Sequence, residues 1–456
     1  MIELAPEQIA TAAGAEILRT GEGGRAERAT IDSREVRPGD LFFGLRGERV
    51  DGGEFAQFAL DLGAWGVVLE SGHAERVTAE LKRAGADAGW VLASEDPLRS
   101  LQALARAWRR ELGCPVVGIT GSTGKTSVKD ICRAILPFRV QASPENFNTD
   151  IGVPLTILSA PPETEVMVLE MAMRGIGQIA ELCEIAEPDV AAITNVGPVH
   201  LELLETLEAI AEAKAEILAS LSERRGRAVV PVDAEALEPH LDDSLTTITF
   251  GPGGDVLVLS AERRGRGLEA RIGTADGEES FEFPFGERYN LANATCAVAI
   301  GIALDAPLAE MARRAPQVAF SRLRGELVEL GNEIVVINDC YNANPISMHA
   351  ALDHLAEIAA GGRAVAVLGG MAELGPDAPT YHREVGAHAR RLGIKPMIGV
   401  GELARDYAPD YWVADVDAAV RLGRRTLEPG DAVLVKGSRA IGLERWTEGM
   451  IRARER

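Results

Sequence analysis

The chain has 456 residues and a formal net charge of -22, with 46% hydrophobic and 25% charged residues. This length favours about three domains, and the composition is that of a globular protein, which excludes a disordered or fibrous chain. No stretch reaches the roughly 18 apolar residues of a membrane helix, and the acidic excess disfavours nucleic acid and anionic membranes as partners. With no secretory signal at its start, the chain is expected to be cytoplasmic and without membrane insertion.

Residues 1–112 mix short apolar segments with helical patterns and are predicted to form a first domain. Leu41–Leu45 and Gly66–Leu69 are such apolar segments, and Pro97–Leu112 has the spacing of an amphipathic helix. Gly113-Cys114-Pro115 then interrupts the pattern, as turns between domains do. The first domain boundary is therefore predicted at residue 112.

In residues 113–321, apolar strands alternate with helical stretches, which is the pattern of a parallel sheet covered by helices. The predicted strands are Val116–Thr120, Val166–Glu170 and Val190–Asn195. A helix is predicted from about Thr206 to Leu221. Asp255–Phe285 instead shows short strands with Gly-rich turns, and we interpret it as a β insertion within this domain.

The alternation of strands and helices restarts after residue 321, which predicts a second, smaller doubly wound sheet of the Rossmann-like kind over residues 322–456. Its predicted strands are Ile334–Ile337, Ala364–Leu368, Met397–Val400 and Ala432–Val435. The whole chain is therefore predicted to be an α/β protein of three domains, whose central domain has a parallel sheet with a β insertion.

Two residue types with special chemistry are sparse in this chain. Six of the 47 basic residues are lysines and the other 41 are arginines. A lysine amine can be desolvated, carbamylated or used as a compact charge where a guanidinium cannot, so each retained lysine is a candidate for a chemical role. The five cysteines lack C-x-x-C spacing and are predicted to be small buried apolar residues rather than disulfide partners or zinc ligands.

The strongest local signal is the glycine-rich segment Thr120–Ser127 between a strand and a helix. Its glycines let backbone N–H groups approach a phosphate, the helix N-terminus faces the anion, Lys125 reaches terminal phosphates, and Thr126 can bind Mg²⁺. The spacing departs from the general G-x-x-x-x-G-K-[ST] motif, because Ile119 stands where the first glycine is expected. We interpret the loop as a shortened phosphate loop, with a structural turn as the alternative.

Metal ligands for a bound nucleotide are expected at the C-terminal ends of the neighbouring strands. Glu170 ends one predicted strand and His200 follows another after a short Gly-Pro turn, so both are candidates. Lys214 lies one turn from Ile210 and Leu218, on the helix face that is expected to be buried. A snorkelling side chain would explain Lys214. The alternative, a carbamylated amine that helps to hold a second metal ion, is one that the spacing alone cannot indicate.

The last third of the chain offers polar residues at strand ends, where doubly wound sheets bind nucleotides. Asp339 follows a predicted strand and can bind ribose hydroxyls, and Arg324 at the presumed junction can contact a phosphate across a cleft. The segment Tyr341–Pro345 is equally suited to a capped strand-to-helix turn. Lys436–Arg439 follows another strand and has the character of an anion-binding turn, with a structural turn as the alternative.

Taken in order, these motifs resemble those of the Mur ligase family over nearly the whole chain. The segments that carry the resemblance are Asp32-Ser33-Arg34, Gly39–Phe43, Thr120–Ser127, Asn146-Phe147-Asn148, Gly152–Thr156, Glu170, Thr194-Asn195, His200, Ala213–Ile217, Asn290, Asn293, Arg324-Gly325, Tyr341–Pro345, Ser347-Met348, Met371–Gly375 and Lys436–Arg439. The Tyr-Asn-Ala-Asn-Pro segment is the most member-specific of these, whereas the phosphate loop is shared across the superfamily.

The resemblance implies a first domain that binds a UDP-sugar, a central ATPase domain, and a C-terminal domain that closes over ATP. It implies an ATP-dependent amide ligase that joins D-alanyl-D-alanine to UDP-N-acetylmuramoyl-tripeptide through an acyl phosphate, in peptidoglycan precursor synthesis. The third residue of the peptide is left open between diaminopimelate and lysine. A monomer is expected.

The same resemblance implies the roles of individual residues. Nucleotide contacts are implied for Gly121, Ser122, Thr123, Gly124, Lys125, Thr126, Ser127, Asn293, Arg324 and Asp339. Two Mg²⁺ ions are implied at Thr126, Glu170, His200 and carbamylated Lys214. Catalytic roles are implied for Lys125, His200, Lys214 and Arg324. Substrate contacts are implied for Ser33, Arg34, Asp51, Asn146, Asn148, Asn342 and Asn344.

Three positions depart from the family pattern. Asp51-Gly52-Gly53 stands for the usual Asp-Gly-His, Gly369-Gly370-Met371 stands for the usual Gly-Asp-Met, and Tyr289 replaces the usual His before Asn. The first departure concerns the uridine contacts, and the second concerns an acidic residue near the dipeptide. The third has little effect on the class of protein.

Rival functions are less well supported by the sequence. A GTPase would need a guanine-reading [NT]-K-x-D motif, and none of the six lysines lies in one. A sister ligase that adds the third peptide residue usually carries Asp-Asn-Pro-Arg, which is absent here, and a ligase like folylpolyglutamate synthase lacks the UDP-sugar domain. A non-catalytic nucleotide-binding scaffold would not need Glu170, His200 and Lys214 together.

Overall fold

The structure is a computed structural model, and it describes residues 4–21, 24–85, 89–199, 201–222, 226–242, 244–359 and 362–454. In this part of the chain, strands and helices alternate and the strands form four sheets. The predicted α/β class, with a central parallel sheet, a β insertion and a C-terminal Rossmann-like sheet, is confirmed. All five cysteines are free and buried, as predicted.

The first sheet has five strands and is covered by helices. The elements of this region are α1 (Pro6–Ala13), β1 (Glu16–Arg19), β2 (Arg28–Thr30), β3 (Asp40–Phe43), α2 (Ala56–Asp61), β4 (Gly66–Glu70), α3 (Ser71–Ala84), β5 (Trp90–Ser94) and α4 (Pro97–Leu112). The strand order is β1-β5-β4-β3-β2, with β1 antiparallel to β5 and the other neighbours parallel. The helix predicted over Pro97–Leu112 is confirmed, because Asp96 caps its first turn and left-handed Gly113 ends it.

The second sheet has six parallel strands and forms the middle of the molecule. Its region contains β6 (Val116–Thr120), α5 (Lys125–Ile135), β7 (Val140–Ala142), α6 (Gly152–Leu158), β8 (Val166–Glu170), α7 (Gln178–Ala186), β9 (Val190–Ile193), α8 (Leu201–Leu204), α9 (Leu207–Ser222), β10 (Arg227–Pro231), β11 (Thr246–Phe250), α10 (Asn290–Ala303) and α11 (Leu308–Arg314). The strand order is β11-β10-β9-β6-β8-β7. Alternate residues of β6, β8 and β9 belong to different apolar clusters on the two faces, so helices cover both sides of this sheet.

Strand β9 is shorter than predicted, because it ends at Ile193 rather than at Asn195. Thr194 and Asn195 leave the sheet, and their side chains hydrogen-bond to Thr123 in the glycine-rich loop. The polar groups at this strand end therefore support the loop instead of extending the strand.

The β insertion is a three-stranded antiparallel sheet. Its strands are β12 (Leu257–Arg264), β13 (Gly267–Thr274) and β14 (Gly277–Phe283), paired in that order. Phe281 and Phe283 pack with helix α10 and the second sheet in a common apolar cluster. The insertion thus lies against the central domain, as predicted.

The last sheet has six strands, of which the sequence predicted four. Its region contains β15 (Glu326–Glu329), β16 (Val335–Asn338), α12 (Pro345–Ile358), β17 (Ala364–Gly369), α13 (Ala378–Arg391), β18 (Met397–Val400), β19 (Tyr411–Val413), α14 (Val416–Thr426), β20 (Ala432–Lys436) and α15 (Glu444–Arg454). The strand order is β15-β16-β20-β17-β18-β19, and only β15 pairs antiparallel. Strands β15 and β19 were not predicted, because β15 has glutamates at both ends and β19, although apolar, is only three residues long.

The predicted boundaries after residues 112 and 321 stay predictions. Within the described residues, no helix combines the length and apolar character needed to cross a membrane.

Candidate active site

The glycine-rich loop connects β6 to α5 at the C-terminal edge of the central sheet. Gly121 and Gly124 have φ angles of 148° and 80°, which glycine adopts without steric cost. A Cβ atom on Gly121 would lie 1.9 Å from Thr194 Oγ1, and one on Gly124 would lie 2.3 Å from Asn293 Oδ1. Both glycines are thus required by the backbone conformation and by close neighbours.

Lys125 folds back over this loop. Its Nζ donates to the carbonyl oxygen of Gly121 at 2.6 Å, and burial lowers the pKa of its amine, although the nearby Glu170 carboxylate opposes this effect. The amine therefore lies close to the N-terminus of α5, where an anion is favoured. Ser122 is held to the next strand end, because its hydroxyl donates to the carbonyl of Gly197 and accepts from the amide of Gly197, both at 2.9 Å.

Glu170 and Thr126 form a buried pair of oxygen ligands beside the loop. Thr126 Oγ1 donates to Glu170 Oε2 at 2.8 Å, and Asn148 Nδ2 donates to Glu170 Oε1 at 2.9 Å. Ser143 Oγ accepts from the backbone amide of Glu170 at 3.1 Å, which holds the end of β8 in place. A carboxylate and a hydroxyl at this spacing are hard oxygen ligands of the kind that Mg²⁺ prefers.

Lys214 is buried on α9, with 2% of its surface exposed. Among the described residues, the structure gives its amine no hydrogen-bond or salt-bridge partner, and burial together with the charge of Lys125 holds its pKa well below the usual range. The prediction that Lys214 lies on the buried face of its helix is confirmed. His200 lies outside the described residues, so its predicted role at the metal is not examined by the geometry.

Arg324 reaches the loop from the other side. Its Nη2 donates to Thr126 Oγ1 at 2.9 Å, and its guanidinium stacks over the ring of Tyr341 at 4.1 Å. Asp339 follows β16 and accepts a salt bridge of 2.6 Å from Lys436 Nζ. Arg324 thus reaches from the C-terminal region to the glycine-rich loop, and Asp339 lines the same cavity.

One cavity of about 1030 Å³ joins most of these groups, but Lys214 and Gly121 are not among the residues that line it. It lies between the central and C-terminal sheets, a usual place for ligand sites in α/β proteins. Predicted site residues that line it are Ser122, Thr123, Gly124, Lys125, Thr126, Ser127, Asn148, Glu170, Asn293, Arg324, Asp339, Asn342 and Asn344.

Four predicted substrate contacts do not line this cavity. Asn146 is exposed, and Ser33, Arg34 and Asp51 lie in the first domain. Arg34 pairs with Asp32, and Asp51 accepts from the amide of Gly53 and contacts His73 Nε2 at 3.1 Å. A Cβ on Gly53 would lie 2.6 Å from the His73 ring, so this imidazole fills the space beside Gly53.

Asn344 serves mainly as a helix cap. Its side-chain oxygen accepts from the amide of Ser347 at 2.9 Å, and the Ser347 hydroxyl accepts from the amide of Asn344 at 3.1 Å. The residue is buried, with 7% of its surface exposed. The side-chain oxygen of Asn344 is therefore used in the capped turn that the sequence allowed. Neighbouring Asn342 is exposed at the cavity wall.

Sequence reasoning missed several groups at the site. Asn195 holds Thr123 through its side-chain amide, and Pro231, Phe250, Gly251 and Pro252 form part of the cavity wall. The wall residues come from the ends of β10 and β11, which were not predicted as strands. The signal for Asn195 was present, because two polar residues follow an apolar strand at the ligand-binding edge of the sheet.

The arrangement is suited to phosphoryl transfer. A helix N-terminus, Lys125 and Arg324 converge on one point of the cavity, and a carboxylate and a hydroxyl lie beside it. Positive groups and metal-binding oxygens in a semi-enclosed cleft stabilise the charge that develops on a transferring phosphoryl group.

Comparison with known proteins agrees with this chemistry. Residues 119–301 match the family described as the Mur ligase middle domain, residues 323–439 match the Mur ligase glutamate ligase domain, and residues 27–108 match the Mur ligase family catalytic domain. The chain is 35% identical over 444 residues to the UDP-N-acetylmuramoyl-tripeptide--D-alanyl-D-alanine ligase of Synechocystis sp., covering 92% of this chain and 90% of that protein.

Solved structures show the same likeness over the whole chain. MurF from Acinetobacter baumannii superposes with a TM-score of 0.86 at 26% identity and covers 98% of each chain. The MurF ligase of Thermotoga maritima, in complex with ADP, superposes with a TM-score of 0.80 at 29% identity, covering 94% of this chain and 98% of that chain.

Proposed function

The chain belongs to the Mur ligase family, and from this premise we propose that it is an ATP-dependent ligase that joins D-alanyl-D-alanine to UDP-N-acetylmuramoyl-tripeptide in peptidoglycan synthesis. The observation that carries the proposal is the single cavity where the phosphate loop, Glu170 and Arg324 meet. The relative with 35% identity carries this activity in its name, and the Thermotoga relative binds ADP. Because the reaction uses ATP, we place it in the cytoplasm.

The cavity fits MgATP. The buried pair of Thr126 and Glu170 would hold Mg²⁺, whose positive charge would stabilise the phosphate oxygens. Asn293 lies against Gly124 and lines the same cavity as Phe250, Pro231 and Pro252, groups that suit the adenine. Asp339 is placed for the ribose, since it follows a strand at the ligand-binding edge of the C-terminal sheet.

Lys214 is proposed to be carbamylated. A buried amine with no anionic partner among the described residues is costly when protonated, so the neutral amine is favoured. The neutral amine attacks CO₂, a nitrogen–carbon bond forms and a proton is released, which leaves a carbamate. This group would supply a second carboxylate-like ligand for a metal ion beside Lys125, together with His200.

The proposed reaction has two steps. The terminal carboxylate of the tripeptide attacks the γ-phosphorus of ATP, and the bond from that phosphorus to the ADP oxygen breaks. Lys125 and Arg324 would spread the charge of the transferring group. The amine of D-alanyl-D-alanine then attacks the acyl phosphate, an amide bond forms, the amine loses a proton and phosphate leaves.

Water must be kept from the acyl phosphate, because hydrolysis would consume ATP without making an amide. We propose that the C-terminal domain, residues 322–456, closes over the central domain, residues 113–321, to exclude it. The first domain, residues 1–112, would hold the UDP-sugar with Ser33, Arg34 and Asp51, and Asn146, Asn148, Asn342 and Asn344 would contact the peptide substrates.

The test is to incubate the protein with MgATP and follow both phosphate release and amide product by mass spectrometry. Release that depends on both UDP-N-acetylmuramoyl-tripeptide and D-alanyl-D-alanine supports the proposal. Release with folate and glutamate instead would overturn it.

The carbamate is tested with Lys214→Ala. We expect this variant to lose ligation and to recover part of it when short carboxylic acids are added, because they restore a carboxylate near the metal. Lys82→Ala, which removes an exposed lysine on α3, is the matched control and should keep full activity. Full activity of Lys214→Ala without added acid would refute the carbamate.

A further inference from the structure

Lys436 ends strand β20 with a buried amine. Its side chain is 3% exposed, and its Nζ donates to Asp339 Oδ2 at 2.6 Å and to the carbonyl oxygen of Asn342 at 3.1 Å. A longer contact of 3.4 Å reaches the carbonyl oxygen of Asp339. One amine therefore holds both ends of the segment 339–342 that follows β16.

Ser438, two residues after Lys436, holds a different segment, which lies on the other side of the turn. Its backbone amide donates to the carbonyl of Gly370 at 3.1 Å, and its hydroxyl accepts from the amide of Ala372 at 2.8 Å. These contacts fix the segment 369–374 that follows β17. Met371 in that segment is held as well, because its amide donates to His382 Nε2 at 2.9 Å.

The strand order explains why one turn can reach both segments. Strand β20 lies between β16 and β17, so the residues after it are flanked by the residues that follow both neighbours. All three segments line the same cavity, with Asp339 and Asn342 from the first, Ala372 and Glu373 from the second, and Lys436 and Ser438 between them.

These contacts separate the two interpretations of the Lys436–Arg439 turn. The Lys436 amine and the Ser438 hydroxyl are both engaged within the protein, and Arg439 pairs with Glu444 at 2.6 Å. A free anion would have to displace strong charge-assisted contacts to use the lysine. The turn is therefore a structural connection between two walls of the cavity.

We propose that Lys436 is a positioning residue of a turn, Lys436–Ser438, that couples the two sides of the cavity. Lys436 holds Asp339 on the nucleotide side together with Asn342, and Ser438 holds the segment 369–374 on the side that receives the amine substrate. The inference rests on the proposed function for the identity of the two ligands. Binding of the nucleotide ribose at Asp339 would then order the acceptor side through this turn, so that phosphoryl transfer takes place only when the amine site is formed.

The test uses Lys436→Met, which keeps most of the side-chain volume and removes the amine. We expect the KM for ATP and the KM for D-alanyl-D-alanine both to rise about tenfold or more, as the loss of a charged hydrogen bond predicts. We also expect more than one phosphate released per amide formed, because the acyl phosphate meets water when the acceptor side is displaced.

The matched control is Arg363→Met at the opposite end of the same sheet. Arg363 pairs with buried Asp431 at 2.8 Å and ties the starts of β17 and β20, away from the cavity. Its loss should lower the melting temperature while both KM values and the one-to-one ratio of phosphate to amide stay unchanged. Ser438→Ala should raise the KM for D-alanyl-D-alanine more than the KM for ATP.

Hydrogen exchange supplies a readout that does not need turnover. Adding MgATP to the wild-type protein should slow amide exchange in residues 339–344 and in residues 369–374. In Lys436→Met, the protection should be lost from 369–374. If the variant keeps wild-type protection, or only one KM changes, the coupling role is refuted. If the wild-type protein binds nucleotide but makes no amide, the proposed substrates fail, while the exchange experiment still decides the role of Lys436.

Discussion

The central sheet meets the first sheet at one junction and the C-terminal sheet at a second junction, and the two junctions are built from different contacts. At the first junction, α4 packs against α6 and α7, and one apolar cluster contains Leu104 and Trp108 of α4 together with Ile157 and Leu182. At the second junction, no apolar cluster of the described residues contains side chains from both the central and the C-terminal sheets. The first junction is therefore a shared core, and the second is a contact between separate cores.

The polar contacts are also more buried at the first junction than at the second. At the first junction, the buried guanidinium of Arg109 donates to the carbonyls of Ala186 and Glu187 and pairs with Asp189 at 2.7 Å. At the second junction, Arg324 donates to Thr126, and Glu357 forms exposed ion pairs with Arg263 and Arg288.

This difference indicates which domains move relative to one another. Separating the first junction would expose apolar surface, at about 25 cal/mol for each Å². Separating the second would mainly exchange polar contacts for water, which costs much less. The first domain is thus expected to move with the central one, and the C-terminal domain is expected to open and close over the cavity.

The largest effect is expected from breaking the shared core. Trp108 is 2% exposed and its indole donates to the carbonyl of Ala160 at 3.1 Å. Trp108→Ala should lower the free energy of unfolding by about 3–5 kcal/mol, measured by urea denaturation. The control, Trp412→Ala, removes a tryptophan that is 36% exposed and should cost about 1 kcal/mol. Equal costs for the two variants would contradict a core at the first junction.

The second effect concerns activity rather than stability. Arg324→Met should lower kcat/KM about 100-fold, because it removes a charged donor at the phosphoryl site, while the free energy of unfolding changes by less than about 1 kcal/mol. The exposed neighbour Arg322 offers the control Arg322→Met, which should keep wild-type kinetics. Steady-state kinetics and denaturation on the same preparations separate the two effects. A large loss of stability in Arg324→Met would mean that the second junction also holds the fold together.

A pH dependence is expected from His354, which lies at the second junction 3.7 Å from Glu287 Oε1 and edge-on to Tyr289. Burial, with a smaller effect from Arg263, lowers the pKa of His354 to about 4. Between pH 6.5 and 4, His354 binds a proton in the unfolded chain but not in the folded chain. The free energy of unfolding is therefore highest above pH 6.5 and falls as the pH is lowered through this range.

The free energy of unfolding should therefore fall by about 2 kcal/mol more in the wild-type protein than in His354→Gln when the pH is lowered from about 7.5 to about 5. Glu287 has a raised pKa caused by burial, but it is present in both proteins and does not enter the difference. Parallel pH profiles of the two proteins would show that His354 is solvated.

The smallest effect is expected from the exposed ion pairs of the second junction. Glu357 lies 3.4 Å from Arg263 and 3.8 Å from Arg288, with 41% of its side chain exposed. Glu357→Gln should change the free energy of unfolding by less than about 0.5 kcal/mol. About 1 M salt should remove even that difference, because it screens exposed charges. A change of several kcal/mol would place a strong polar contact at the second junction.

Local patterns were sufficient for much of the fold. The strands Val116–Thr120, Val166–Glu170 and Met397–Val400 and the helix Pro97–Leu112 have the predicted bounds, because buried parallel strands are apolar runs and caps mark helix ends. Edge strands β15 and β19 were missed, since β15 is flanked by glutamates and the apolar run of β19 is only three residues long. The end of β9 was misplaced, because Thr194 turns toward Thr123 across the sheet edge and no local signal shows that contact.

The residues of the candidate site also fall into those that the sequence predicted and those that only the structure showed. The glycine-rich loop, Glu170 and Lys214 were predicted as site residues from their places at strand ends and on a helix face, and the loop and Glu170 line the cavity. The role of Asn195 and the buried contacts of Lys436 were not predicted, because their partners lie 72 and 97 positions away in the sequence.

The order of amino acids by itself determined the strands, the helices and the glycine-rich loop, since each depends on spacing, caps and backbone freedom among neighbours. The tertiary structure alone decided which strand ends meet, and therefore that one turn, Lys436–Ser438, joins two walls of the cavity and that one junction is apolar while the other is polar. Such contacts depend on distances between residues far apart in the chain, and those distances exist only after the sheets have packed.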